Sequence, residues 1–463
     1  MTLVKQRDIY DLLIKGVERS ARTSSPTLVS LSKRISFADP LSFFALQRDH
    51  RFYWEDADGR ASICGIGETY RLVAEGRNRF AEIETKRREL FQHAVIDADA
   101  DATATGPLFA GGFAFDPDRP KTPLWQHFPD AELVMPTFMV TRAEHTWLTI
   151  NVLVDQHTDP SQTADKLSEE RDRLVQQASV ATIAGQPLPA FTVTEIAADE
   201  WKRAVAEAAS SIREGVIDKI VLSREIRLSA DRPFTAGEVL RQLREQQRNS
   251  HLFAYVKKEN CFIGASPERL VQKRGSEIRS ACIAGTAPRG KTKHEDEAIG
   301  EQLLRDKKNL HEHKLVVNMI GEAMKGVCTQ VQLPECPTLY KVKNVQHLYT
   351  PVAGKALPDT SVVPFVGELH PTPALGGWPQ RQAVEKIREM EPYERGWYGS
   401  PIGWVDYKGD GEFAVAIRSG LLQGNDASLF AGNGIVGDSE PESEYRETQL
   451  KFRPMLSALG GEC

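Results

Sequence analysis

No two of the six cysteines (Cys64, Cys261, Cys282, Cys328, Cys336 and Cys463) form a CxxC pair. That absence excludes a zinc knuckle, a thioredoxin-like motif and a disulfide-stapled scaffold, and leaves reduced core or surface thiols. No apolar run approaches the roughly 20 residues that a membrane helix needs, and the N-terminus lacks a basic, apolar, cleavable leader pattern. A cytoplasmic protein with no membrane partner is expected. Excess positive charge is missing too: 58 Lys and Arg stand against 64 Asp and Glu, a net charge of −6. Without an overall basic field there is no case for a nucleic-acid partner, and an anionic substrate must be held by local cations. Nor is there a zincin-like histidine pair. His311 and His313 are two residues apart, which turns them about 200° from each other on a helix and prevents them from sharing one metal ion there.

What is present is ordinary for a globular chain, with 41% hydrophobic and 26% charged residues. A length of 463 residues exceeds the usual single compact core, so either two domains or one large two-layer body is expected. Residues 4–20 have helical periodicity, Thr27 to Ile35 alternates as a strand, and Phe52–Trp54 with Ser62–Ile66 flank the turn-prone DADGR as a hairpin. A long charged helix is expected over 69–91. GPLFAGGFAFD (106–116) reads as a glycine-broken strand or hairpin, in which Gly111 and Gly112 mark a bulge or a close strand approach. Antiparallel strands are expected over 131–140 and 147–154, and a helix over 161–178. AGQPLPA at 184–190 is the best boundary, dividing a scaffold region (1–190) from a second region (191–463).

The second region carries the chemistry. GNGIVGDSEPESEYRETQLK (432–451) reads as a strand over 429–431, a glycine turn, and a helix capped by Asp438 or Ser439 with Pro441 in its first turn. Gly432, Gly434 and Gly437 would allow positive φ and close backbone approach, so that amides can face a carboxylate or phosphate near the positive end of the helix. Glu444, Glu447 and Lys451 share one side of that helix. Two acids and a base beside an anion seat suit a divalent cation bridging carboxylates to an anionic substrate; the same spacing also makes a solvated helix with ordinary i,i+4 pairs.

Upstream, DKIVLSREIRL (218–228) is a strand on which Lys219 is either a snorkelling surface residue or an inward-facing base. Residues 251–290 read as four antiparallel strands. Glu268 in SPERL and Gly285 with Thr286 in IAGTAPRG fall at strand ends, where a carboxyl with apolar neighbours can serve as a general acid or simply pair with Arg269. A helix is expected over 293–325. On it Glu312 is either a magnesium ligand or the partner of Lys308. SPIGWVDYKGDGEFAVAIRSGLL (400–422) is a hairpin about KGDG, with Arg418 near the end of its second strand, suited to gripping a carboxylate or to remaining solvated.

KIVLSR, SPERL, IAGTAPRG, KNLHEH, HPTPALGG, SPIGW, AIRSG and GNGIVGDSEPESEYRET, in that order, resemble the chorismate-utilising enzymes, the family of anthranilate, aminodeoxychorismate, isochorismate and salicylate synthases. The resemblance is strong over about 195–456 and looser before it. It implies an α+β fold of two antiparallel sheets packed face to face with helices outside. It further implies that Glu312 and Glu447, with Glu444 close by, bind Mg²⁺, which holds the ring carboxylate of chorismate. Arg418, Lys451 and amides near Gly285 and Gly432–Gly434 would hold substrate carboxylates, beside Thr286, and His347, Tyr398 and Ile417 would line the ring pocket. Members that add ammonia tend to carry glutamine and threonine where Lys219 and Ala374 stand. The pattern here is that of members adding water, with Lys219 as base and Glu268 as acid, so isochorismate is the expected product, more for menaquinone than for a siderophore. No glutamine amidotransferase subunit is expected. A salicylate synthase and a non-catalytic module of the same fold are the alternatives.

Overall fold

The computed structural model describes residues 6–461 except 37–38, 182–184, 186 and 342–344, and leaves out the side chains of Gln6, Lys308 and Glu312. Among the described residues the chain builds one sheet of 13 strands and another of 10. Neighbouring strands are antiparallel except for Thr27–Ile35 with Val95–Asp97, a parallel pair at one edge of the larger sheet. The inner faces pack on each other: Trp54, Phe253, Leu421 and Phe430 from the larger sheet meet Ala110, Ile402, Trp404 and Ala414 from the smaller, with Trp125 and Trp397 between. Near-continuous apolar runs such as Leu108–Phe113, buried at every position, suit strands covered on both faces. Helices cover the outer faces. Gln6–Thr23, Pro160–Val180, Ala236–Gln246 and Pro441–Ala458 pack on the larger sheet, and Arg79–Gln92, Lys307–Lys325 and Val362–Leu369 on the smaller.

Both sheets draw strands from both halves of the chain. His50–Glu55 pairs with His251–Lys257, and Leu108–Phe113 pairs with Pro401–Asp406. Of the boundary stretch 184–190, residues 184 and 186 lie outside the described residues. No helix among the described residues is long and apolar enough to cross a membrane.

Several local expectations change for identifiable reasons. The helix expected over 69–91 begins only at Arg79, because Tyr70–Ala74 is a strand and Gly76, at φ 76°, turns the chain before the helix. The strand expected over 131–140 is two strands in different sheets, parted at Pro136, which cannot donate to a ladder. The helix expected over 293–325 is likewise two, Lys293–Leu303 and Lys307–Lys325, since the Asp306 side chain accepts from the Asn309 amide and starts a new N-terminus. Gly111 and Gly112 mark a close approach in a regular strand: a Cβ at Gly111 would lie 2.0 Å from the Glu132 carbonyl oxygen, and one at Gly112 would lie 2.7 Å from the Trp397 ring.

The four strands over 251–290 divide two and two. His251–Lys257 and Asn260–Ser266 belong to the larger sheet, while Arg269–Arg274 and Glu277–Pro288 belong to the smaller. Strand Gly411–Val415 of the hairpin likewise hands over to Ser419–Gln423 in the other sheet. The chain therefore crosses between the sheets at 266–269 and again at 415–419. These crossings lie side by side, the Val415 amide donating to the Glu268 carbonyl at 3.0 Å and the Ala265 amide to the Arg418 carbonyl at 3.1 Å.

Candidate active site

The first crossing carries an acid, and a lysine of the larger sheet lies within electrostatic reach of it. Glu268 sits in the first, half-buried, and desolvation pushes its carboxyl up to about 7 although the Lys219 ammonium opposes the shift. Lys219 comes from the neighbouring part of the larger sheet. It opens strand Lys219–Ala230, whose Ile220, Leu222, Ile226 and Leu228 point to the helices. Its alternate residues therefore face the inter-sheet side. A Cβ on Gly434 would come within 2.9 Å of Lys219 Cε and 3.4 Å of Nζ, so the amine lies directly over that glycine.

This corrects the reading of the glycine stretch. Gly432 and Gly434 lie inside strand Asp426–Ile435, and neither they nor Gly437 has positive φ. The helix that follows begins at Pro441 with Glu440 as N-cap and no side-chain capping bond, so neither Asp438 nor Ser439 caps it. The glycines serve close approach instead. On one side they pair with Ser223 and Val221. On the other, strand Ser419–Gln423 pairs only as far as Phe430 before leaving for the crossing. The Val221 and Ser223 amides bond to Gly376 and Glu391 rather than to this strand. The opposed amides of Gly434 and Gly432 therefore face the vacated edge, by the alternation of an antiparallel ladder.

Lys451 fills part of that edge. Its ammonium donates to the Gly432 carbonyl at 2.9 Å and to Asn433 Oδ1 at 2.8 Å, and pairs with Glu447 at 3.0 Å. Glu444 is engaged differently, because its carboxylate accepts from Asn433 Nδ2 at 2.8 Å and Ser439 Oγ at 2.7 Å, tying the helix to the strand. Glu447 is the exposed carboxylate of the pair. The side chain of Glu312 lies outside the described residues. Among the described residues no three His, Cys, Asp or Glu side chains are gathered into a metal cluster, but hard oxygen donors on one helix face are the type that Mg²⁺ takes.

The second crossing carries a guanidinium. Arg418 is half-buried at φ 48°, a conformation uncommon for a side chain of its size, and desolvation lowers its pKa. Its guanidinium has no ion-pair partner among the described residues. A strained, desolvated guanidinium is a ready carboxylate fork. His347 lies close by. Burial, with smaller contributions from Arg418 and Lys451, lowers it to about 4, so it is neutral at physiological pH. Its Nδ1 is 2.9 Å from Thr286 Oγ1, opposite the bulge where Gly285 takes φ 78°.

The remaining predicted residues ring this centre. Ile417 lies in the second crossing and packs against both cores. Tyr398 is buried and stacks on Phe430 at 5.3 Å. Ala374 lines a narrow pocket together with Glu268 and Thr372, whose hydroxyl is buried without a hydrogen-bond partner. Three residues were not anticipated. Asn433 links Glu444 and Lys451, a role hinted at by a lone asparagine between two glycines. Glu391 and Arg395 form a buried pair beneath the Lys219 strand, and their only sequence signal is i,i+4 spacing.

A carboxyl raised toward neutrality, a lysine within electrostatic reach of it and a desolvated guanidinium thus gather at the seam of a double sheet, an arrangement of the kind enzymes use. Residues 15–460 match the family described as chorismate binding enzyme, and the chain belongs to that family. It is 40% identical to the isochorismate synthase MenF of Bacillus subtilis over 100% of both chains. It is 36% identical to the salicylate biosynthesis isochorismate synthase of Pseudomonas aeruginosa, over 96% of this chain and 94% of that one. Among solved structures, the menaquinone-specific isochorismate synthase MenF of Escherichia coli aligns with a TM-score of 0.78 at 25% identity, covering 96% of this chain and 99% of that chain. Anthranilate synthase component I of Streptococcus pneumoniae aligns with a TM-score of 0.71 at 22% identity, covering 86% and 92%, a likeness of fold alone.

Proposed function

We propose that this enzyme is an isochorismate synthase, converting chorismate to isochorismate. The observation that carries the reading is a Glu268 carboxyl held near pKa 7 within electrostatic reach of Lys219. Lys219, acting as its neutral amine, accepts a proton from water as the water oxygen bonds to C2 of the ring. The diene shifts, the C4–O bond breaks, and Glu268 donates its proton to the departing hydroxyl, which leaves as water. One water enters and one leaves, and exchange with solvent takes the proton from Lys219 and returns one to Glu268, so the net change is an isomerisation. General acid and base terms of this kind each contribute about 10²- to 10⁴-fold.

Arg418, Lys451 and the edge amides of Gly432 and Gly434 hold the substrate carboxylates, with Gly285 and Thr286 closing the pocket and neutral His347, Tyr398 and Ile417 against the ring. Glu447 and Glu312, with Glu444 adjacent, are the residues to hold Mg²⁺, which when bound supplies counter-charge for the ring carboxylate. Because water is the nucleophile, no ammonia-delivering subunit is required. The full-length likeness to enzymes named MenF favours a place in menaquinone synthesis, in the cytoplasm.

The test is product identification. Purified protein with chorismate and Mg²⁺ is expected to reach a mixture of chorismate and isochorismate, approached equally from isochorismate, without pyruvate near neutral pH. Stoichiometric pyruvate and salicylate would assign a lyase instead.

A further inference from the structure

The mechanism leaves one costly feature unused. Glu391 and Arg395, at 1% and 3% side-chain exposure, form an ion pair at 2.5 Å inside the molecule. Burying two charges rarely stabilises a fold more than apolar residues of the same volume would, so such a pair calls for a positional explanation. Its hydrogen bonds supply one. Arg395 Nη2 donates to the Val221 carbonyl at 2.7 Å and Nη1 to the Leu375 carbonyl at 2.9 Å, while its guanidinium lies 4.2 Å from the centre of the Phe115 ring. Glu391 Oε1 accepts from the amide and hydroxyl of Ser223 at 2.7 and 2.9 Å. Tyr393 donates to the same hydroxyl at 3.0 Å.

The pair thus grips two segments at once: strand residues just after Lys219 and the loop residue just after Ala374. Between them the backbones are zipped, the Val221 amide to the Gly376 carbonyl at 3.0 Å and the Asp218 amide to the Trp378 carbonyl at 3.0 Å. No room is left for slippage, since a Cβ on Gly377 would lie 2.3 Å from the Lys219 carbonyl oxygen.

We propose that the Glu391–Arg395 pair is a positioning clamp that fixes the Lys219 strand against the 374–378 loop and so places the Lys219 amine for catalysis. Resting on the isochorismate synthase reading, it adds a residue pair that touches no substrate and acts through Lys219. The geometric requirement is steep, because misplacing a catalytic group by about 1 Å costs on the order of 10²-fold.

The experiment is Arg395→Lys. Lysine keeps the charge that Glu391 needs but cannot fork to two carbonyls and a carboxylate together. The expected result is a kcat lowered about tenfold or more, a KM for chorismate within about threefold of wild type, and faster amide hydrogen exchange at Val221. Wild-type kcat with unchanged exchange would overturn the clamp, as would a lowered melting temperature with kcat intact in the cold. Should Arg395→Lys fail to fold, the double variant Glu391→Gln with Arg395→Gln removes both charges without stranding one, and the same split is expected of it. Exchange at Val221 and the rate of reductive methylation of Lys219 read the clamp without turnover. A wild type that makes no isochorismate would refute the proposed reaction while these two measurements still decide the clamp.

Discussion

The crossings at 266–269 and 415–419 differ sharply from a third place where the chain passes between the sheets, at Met135, Pro136, Thr137 and Phe138. The third satisfies its own polar groups. Asn151 Nδ2 donates to the Pro136 carbonyl at 2.8 Å, the Thr137 amide donates to Ile66 at 3.1 Å and its hydroxyl meets Thr69 at 3.1 Å. The first two instead hold a desolvated carboxyl and a guanidinium at positive φ. A sandwich must cross between its sheets somewhere. Where the crossing pairs its groups internally it reads as scaffold, and where it strains or desolvates a charged side chain it is a candidate site.

The comparison breaks most visibly at Glu268. Glu268→Gln should lower kcat by about 10²- to 10⁴-fold while leaving chorismate affinity nearly unchanged, and steady-state kinetics with a separate binding measurement would reveal an equal loss of affinity if Glu268 were a binding residue. Next comes Gly434→Val, which should cost on the order of 10² in kcat, since its Cβ falls 2.9 Å from Lys219 Cε; the strand itself should tolerate valine, and circular dichroism checks that. Arg418→Gln removes one charged fork and should raise KM by about 10- to 100-fold, from roughly 1.5–3 kcal/mol for a charge-assisted bond. At the scaffold crossing the effect moves from catalysis to stability. Asn151→Ala orphans the Pro136 carbonyl and the Ser30 hydroxyl and should lower stability by about 1–3 kcal/mol in denaturant titration with kcat unaltered. A loss of kcat in the folded variant would mean that the two kinds of crossing are not distinct.

How much of this can be read from residues alone follows from what kind of signal each feature leaves. Lys219, Glu268 and Arg418 stand in motifs placed at strand ends, Lys451 is placed by helical spacing, and the two-sheet α+β body is legible only through the family resemblance that these motifs carry. The glycines at 432 and 434 invite a reading through turn chemistry. Glycine leaves the same mark for positive φ as for close approach, and only the strand register separates the two. The change of sheet at Pro136 is hidden for a similar reason, because an apolar run broken by one proline looks like a single interrupted strand. Glu391 and Arg395 act through backbone carbonyls and a serine amide, which have no residue identity to recognise. Glu444 matches a ligand pattern and is engaged in holding strand to helix, a use that the same helical spacing permits equally.

Burial of Glu268 also has a consequence for stability. Its folded pKa of about 7 lies above the ordinary 4.5, so folding favours the proton, and wild-type stability declines as pH rises from about 4.5 through 7. Glu268→Gln carries no such penalty and should melt higher than wild type at pH 8, with the difference vanishing near pH 4. The same proton sets the activity profile. If Glu268 is the general acid, kcat/KM should fall as pH rises through about 7.

The most direct measurement is the titration of the Glu268 carboxyl itself, followed by the infrared difference between wild type and Glu268→Gln across pH 3–10. A midpoint near 7 is expected, from desolvation at the crossing partly offset by Lys219. A midpoint near 4.5 would mean that the carboxyl is ionised at working pH, and Glu268 could not then be the acid that expels the C4 hydroxyl.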